Sequence, residues 1–425
     1  MRTFEQIKKN DTLLLVWKLI IASLLIGFLA AFLAVVLKHT TDFFEELLIK
    51  KSESNKIYLL VFPFLGLTII HFLRHYLFRK KENKGIKEVF EVTQSKSKNL
   101  PLYKIPYHFV NGLLTVIFGG STGIEVSTVV ATATIGSASQ QKDKTLKTYK
   151  SELICAGVTA GITALFCSPL AGILFSIEVI SKKTTKFFLL TNGISLLTAW
   201  SLIQTLNEKP LFDIKINHWH YHAIPYFIVL GILAGLNSVY ITKCVLFFKS
   251  KFYKIEKSFA KIIIGSIILS TALLIFPQLY GDGYHSVREL FDTANTNFSI
   301  GLITTFIGIL VLKPIVTSAT LASGGDGGVF APSLFIGAFL GLTLASFLNF
   351  TFKSNVIPIN FMIIGMAAVL SASINAPFTA LFLVCGMIHN YTLFFPILLV
   401  CYVAKYTSRF IFPHTVYTYV APISK

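Results

Sequence analysis

Apolar residues run almost unbroken through several stretches of this chain. Leu13–Leu37 contains a single charge, Lys18, and further runs occupy Ile57–Leu73, Pro225–Val239, Ile262–Phe276 and Ile300–Leu312, with a last one at Tyr391–Phe412. Several approach the roughly 20 residues that a helix needs to cross about 30 Å of hydrocarbon. The first is too long for a removable signal peptide and lacks a small-residue cleavage pattern, so it reads as a true membrane helix behind a short amphipathic segment around Thr3 to Asp11. Glu152–Ile180 and Phe361–Met387 are instead rich in Gly, Ala and Ser, which let helix backbones approach closely and predict helices buried inside a large bundle.

Two glycine-rich loops interrupt this pattern. Gly119-Gly120-Ser121-Thr122-Gly123 and Gly324-Gly325-Asp326-Gly327-Gly328 each open an apolar helical run, 205 residues apart (324 − 119). Downstream, Gly157 pairs with Gly365, Ala160 with Ala368 and Pro169 with Pro377 at an offset of 208 (365 − 157), and a three-residue insertion reconciles the two spacings. The expected organisation is one membrane domain over residues 1–425 in two related halves, roughly 13–250 and 260–412, with no appended soluble domain. Freed amides at a broken helix start favour an anion, so the loops point to a pathway for small anions.

Composition agrees with a membrane chain: the mean hydropathy is +0.69, with 54% hydrophobic and 14% charged residues. The net charge of +18 reads as the positive-inside bias rather than nucleic-acid binding, because its basic residues sit in short loops beside apolar runs. Lys8-Lys9, Arg79–Lys104, Lys142–Lys150, Lys182–Lys186 and Lys249–Lys261 are the expected cytoplasmic segments. Cys155, Cys167, Cys244, Cys385 and Cys401 lie in apolar surroundings with no CxxC pair, as small buried hydrophobes do. No nucleotide-binding or catalytic-triad signature stands out, so neither an enzyme nor a cofactor is expected.

Five segments in order give the chain a resemblance to the CLC family of chloride channels and proton-coupled chloride transporters. Ser323–Gly341 looks like the GxFxP signature, Gly157–Glu178 like the helix ending in PLAG(I/V)LFxxE, and Gly365–Val384 like its second-half counterpart. Gly123–Ser127 stands in the place of GREGP and Asn83–Glu88 in that of GSGIPE. The resemblance implies an all-α, multi-pass fold of tilted and broken helices in inverted halves, and a homodimer in lipid with one anion path per subunit. It also implies that chloride or a similar small anion is held by the backbone of Val329 and Phe330, by the segment Lys84, Gly85 and Ile86, and by the hydroxyl of Tyr417. Lacking a eukaryote-style regulatory domain, the chain is expected in a bacterial inner membrane.

Departures from the family pattern bear on mechanism. Lys84 stands where the family has a serine and Lys87 where it has a proline; Lys84 either draws anions to the pore mouth or snorkels from a basic loop into cytoplasm. The resemblance makes Glu125 the counterpart of the family's external gate glutamate, although Ile124, Val126 and Ser127 replace its neighbours; the alternative is a glutamate stabilised at a helix N-terminus by the dipole, with no gating role. At the internal proton-transfer position the chain has Val179, which carries no proton; Glu178 before it matches the first acid of the family's pair and reads as structural or cytoplasm-facing. An outer gate without an inner relay favours passive, channel-like flux. The alternative is a proton-coupled chloride or fluoride exchanger that uses Glu125 with a substitute relay.

Other features are less informative. His218, His220 and His222 alternate and would share one face of an extended strand, but their flanks look like a loop entering the membrane, so no metal is expected. Gly281-Asp282-Gly283-Tyr284 looks like a turn. Lys313 and Thr317, one helical turn apart, either face the pathway or pack in the core.

Overall fold

A computed structural model describes residues 4–78, 85–95, 97–141, 143, 145–294 and 300–419. The chain is nearly all helical, with no strand among the described residues. Its helices are α1 (Phe4–Ser54), α2 (Ile57–Phe72), α3 (Ile86–Gln94), α4 (Lys104–Ile117), α5 (Glu125–Ser139), α6 (Lys150–Phe166), α7 (Pro169–Phe175) and α8 (Lys186–Thr205). They continue as α9 (Ile224–Tyr253), α10 (Ser258–Ile275), α11 (Tyr284–Thr293), α12 (Ile300–Ala322), α13 (Phe330–Phe352), α14 (Pro358–Ile374), α15 (Pro377–Met387) and α16 (Phe394–Ile411). Among the described residues, eight helical stretches are long and apolar enough to cross a membrane. The chain is an all-α, multi-pass membrane protein.

The first span is longer than its apolar run: described as Leu13–Ser54, it continues well past Leu37. Polar residues there do not end the helix because they find partners. Lys38 donates to Glu208 at 3.1 Å, and Thr41 turns its hydroxyl onto the Leu37 carbonyl.

Small residues decide how closely the central helices meet. On α13, Gly337 and Gly341 lie one turn apart against α14, and a Cβ on Gly337 would fall 2.5 Å from the Met366 Cα. On α6, Gly157 and Gly161 lie against Thr132 of α5, where a Cβ on Gly161 would stand 2.7 Å from the threonine Cγ2. Both are GxxxG spacings, which let backbones touch where lipid offers no hydrophobic drive between helices. Around these pairs, α6 packs on α1, α5 and α8, and α14 packs on α13, α9 and α16.

Two helix breaks share one construction. α6 ends at Cys167 with φ 51° and α14 at Asn375 with φ 57°, and in each case the next helix starts with a proline, Pro169 or Pro377. Proline suits a first helical position because its missing N–H would have no intrahelical partner there. The broken pairs meet across the molecule: α7 packs on α15, and the Ser168 hydroxyl donates to the Phe382 carbonyl at 2.8 Å.

Basic segments gather at one face. Lys18 pairs with Asp143 at 2.8 Å, Lys150 donates to the carbonyls of Ser95 and Lys98, and Lys182 lies 5.1 Å from the centre of the Phe90 ring. The hydrogen bond from the Lys18 ammonium holds the Asp143 carboxyl well below its ordinary range. Lys38 lies 20 residues further along α1, about 30 Å at 1.5 Å per residue, so the cluster of Lys38, His39 and Glu208 marks the opposite face.

Candidate anion site

The two glycine-rich loops meet back to back. Gly123 and Gly328 form an isolated antiparallel bridge, and the loops hold each other through reciprocal threonines. Thr320 Oγ1 accepts from the Ser121 amide at 3.1 Å, Thr115 Oγ1 accepts from the Asp326 amide at 2.8 Å, and Thr122 donates to the Asp326 carbonyl at 3.0 Å. Glycine is required at Gly119 and Gly324, whose φ values of 81° and 106° lie in the left-handed region. Each loop thereby turns back sharply and releases a helix start, α5 at Glu125 and α13 at Phe330.

A third helix start joins them. Gly85, with φ 57°, precedes α3, and a Cβ there would lie 3.4 Å from Val126 at the head of α5. Ile86 is buried in the same core. Tyr417 comes from the C-terminal segment, its hydroxyl 2.9 Å from where a Gly328 Cβ would stand, beside the Val329 amide. Phe330 stacks on Phe166 at 5.6 Å and lies 6.3 Å from Phe175, giving the cradle an aromatic wall. The structure therefore brings Gly85, Ile86, Glu125, Val329, Phe330 and Tyr417 into one neighbourhood, while Lys84 lies outside the described residues. Helix starts in low dielectric present uncompensated N–H groups, and three converging on one point favour a negative charge there.

The chain's own carboxyl group occupies that point. The Glu125 side chain is 1% exposed and lies over the start of α13: its Oε2 fills the space beside Gly123 and Ala331, and the amides of Glu125 and Ala331 face the carboxylate. Oε1 accepts a 2.6 Å hydrogen bond from Tyr284, while Oε2 has no hydrogen-bond partner among the described residues. Nothing in the local sequence marks Tyr284 for this role. It follows the turn at Gly281 and Gly283, φ 57° and 88°, with the Asp282 carboxylate capping its amide at 2.8 Å. The two residues are 159 positions apart, so only the packing of α11 against α13 reveals the pair.

Glu178 and Val179 lie elsewhere, in a π-helical turn at Ser176–Ser181 that continues α7. Glu178 Oε2 accepts from the amide and hydroxyl of Thr379, both at 2.7 Å, and so caps α15; Val179 packs against the hydrophobic core. Removing a cap of this kind costs about 1 kcal/mol. Glu178→Ala is therefore expected to lower the thermal midpoint while leaving proton movement through the protein unchanged, as followed with a pH dye in loaded vesicles. A loss of proton movement at an unchanged midpoint would give Glu178 a transport role instead.

A buried histidine–aspartate pair flanks the cradle. His108 Nδ1 lies 2.9 Å from Asp326 Oδ2, which also accepts from Ser127 at 3.2 Å, and both members of the pair are buried. Thr317 faces Ser121 across 3.5 Å, so it borders the first loop, whereas Lys313 points to the turn before α11. The rings of His218, His220 and His222 line up with centres 5.0 and 5.1 Å apart, and no group of His, Cys, Asp or Glu able to hold a metal occurs among the described residues.

Known proteins share this architecture. The chain is 28% identical over 311 residues, 72% of both chains, to the voltage-gated ClC-type chloride channel ClcB of Shigella flexneri. It is also 28% identical over 282 residues, 63% of this chain and 58% of the relative, to the H(+)/Cl(-) exchange transporter ClcA of Vibrio parahaemolyticus. A CLC-type fluoride/proton antiporter superposes with a TM-score of 0.78 at 25% identity, covering 98% of both chains. A slow cyanobacterial Cl-/H+ antiporter superposes with a TM-score of 0.80 at 22% identity, covering 94% of this chain and 96% of the other. The sequence model described as "voltage gated chloride channel" matches residues 65–409. With the match spanning most of the chain and the helices laid out as above, the protein belongs to the voltage gated chloride channel family, whose members transport anions across membranes rather than catalyse reactions.

Proposed function

We propose that the chain is a passive, gated chloride pathway in which Glu125 is the gate. The observation that carries this reading is the position of the Glu125 carboxylate at the start of α13, where it takes the place that an entering anion would need. Val329, Phe330, Gly85, Ile86 and the Tyr417 hydroxyl then surround the displacing anion. Passive flux is favoured because Val179 cannot carry a proton and Glu178 is engaged in capping α15. The path runs between the two related halves, about 13–250 and 260–412. It is repeated in each subunit of a homodimer embedded in lipid, in a bacterial inner membrane with the basic face toward the cytoplasm.

The second reading is a proton-coupled chloride or fluoride exchanger. It is favoured by the buried His108–Asp326 pair, a titratable couple close to α5 that could replace the missing inner carboxylate. Relatives named as exchangers and a fluoride/proton antiporter keep it in view. Proteoliposomes loaded with chloride and diluted into low-chloride medium separate the two. Passive flux dissipates the gradient without moving the external pH, whereas proton transport driven uphill by chloride, and abolished by Glu125→Gln, would establish the exchanger.

A further inference from the structure

Behind Tyr284 lies a buried cluster that the anion path does not use. Glu45 of α1, Asp282 of the turn and Lys313 of α12 are 6%, 3% and 0% exposed. Lys313 donates to the carbonyls of Leu279 and Gly281, both at 3.3 Å, and its ammonium lies 4.4 Å from the centre of the Phe335 ring. The Glu45 carboxylate lies against Gly281 and faces the Asp282 amide, and both acids lie within electrostatic reach of the ammonium. Asp282 in turn caps the amide of Tyr284, whose hydroxyl holds Glu125.

The charges do not balance. Two carboxylates and one ammonium leave one net negative charge in a dry interior, and an uncompensated buried charge is costly enough that such a group takes up a proton instead. Surrounding groups do not remove the deficit. Tyr280 donates to the Ile117 carbonyl, Asp42 on the next turn of α1 adds a further acid, and Glu125 across Tyr284 is another. Arg288 of α11 lies near Asp42, and Lys38 and His39 are paired with Glu208. Asp42, three residues before Glu45 on α1, lines with Arg288 and Glu208 a cavity of about 340 Å³ at the face opposite the basic segments.

We propose that Glu45, Asp282 and Lys313 form an outer proton-binding site that passes the pH of this vestibule to the gate through Tyr284. The proposal rests on Glu125 being the gate. With one proton bound, shared between the two carboxylates, the triad is neutral and the approach to the cradle carries no added charge. Losing that proton to the vestibule leaves a net negative charge behind Tyr284, which repels an anion entering past Glu125. Flux therefore falls as external pH rises.

The experiment measures chloride efflux from proteoliposomes of oriented protein against external pH, at fixed internal pH. Glu45→Gln removes one titrating carboxyl and keeps the triad neutral, so efflux is expected to hold its acid-side level across the whole external range. A Glu45→Gln protein that folds, conducts and keeps the full wild-type pH profile would overturn the proposal. Failure of the gate reading is told apart by Glu125→Gln, whose efflux would then equal that of the wild type. In that event infrared difference spectra decide the site by themselves: a protonated-carboxyl band that shifts in deuterated water and disappears in Glu45→Gln supports it, and absence of the band overturns it.

Discussion

Replacing Glu125 by glutamine is expected to raise chloride efflux about tenfold or more at neutral pH and to flatten its dependence on external pH. The carboxylate is held over the head of α13 by facing amides and by the 2.6 Å hydrogen bond from Tyr284. A hydrogen bond to a charged group contributes about 1.5–3 kcal/mol net and a helix-terminal charge about 0.3–1 kcal/mol more. An entering anion must recover most of that from the same amides. Glutamine keeps the shape and a hydrogen bond to Tyr284 but not the competing charge, and a difference of about 1.4 kcal/mol in occupancy is already a factor of ten. Efflux from vesicles recorded with a chloride electrode checks the outcome. Equal rates in the two proteins, at equal reconstitution, would remove Glu125 from the gate position.

Gly337→Leu is expected to destabilise the protein by about 3 kcal/mol, near the upper end for overpacking. No rotamer relieves it, because the obstacle is backbone: the Gly365 carbonyl and the Met366 Cα lie where the new Cβ would stand. Pushing α13 away from α14 also moves Val329 and Phe330, so anion flux should fall together with the unfolding midpoint in detergent. Phe347→Leu on the same helix is the control, since Phe347 is exposed on the outer surface and a change there costs within about 0.5 kcal/mol. A midpoint for Gly337→Leu equal to that of Phe347→Leu would falsify the close-packed α13–α14 contact.

Much of the architecture is legible in the sequence because membrane helices are written in local terms. Unbroken apolar runs mark the spans, glycine pairs mark the close helix contacts, and two glycine loops at one spacing mark the interrupted helices. What is not legible depends on partners distant in the chain. Tyr284 reads as the end of a turn until α11 lies beside Glu125, and the partner of Glu178 is hidden because Thr379 lies 201 residues away. Lys313 illustrates the same limit: a cation in an apolar helix announces that something unusual is buried, but the two acids that explain it come from α1 and from a turn. The length of α1 is hidden for a related reason, since Lys38 and Glu45 break the apolar pattern although both are buried.

The reciprocal seating of the two glycine loops constrains how anything can pass. Thr115 serves the second loop and Thr320 the first, so swinging the two sides of the molecule apart would break the Ser121, Asp326 and Thr122 contacts at once. Each of these is worth about 1 kcal/mol when exchanged for water, and breaking one in a dry interior costs more. Turning one carboxylate aside breaks one hydrogen bond, from Tyr284, and gives up the facing amides. On the gate reading, selection acting on throughput therefore has a cheap handle in the few side chains that hold Glu125, and a stiff frame that stays in place while that handle is tuned.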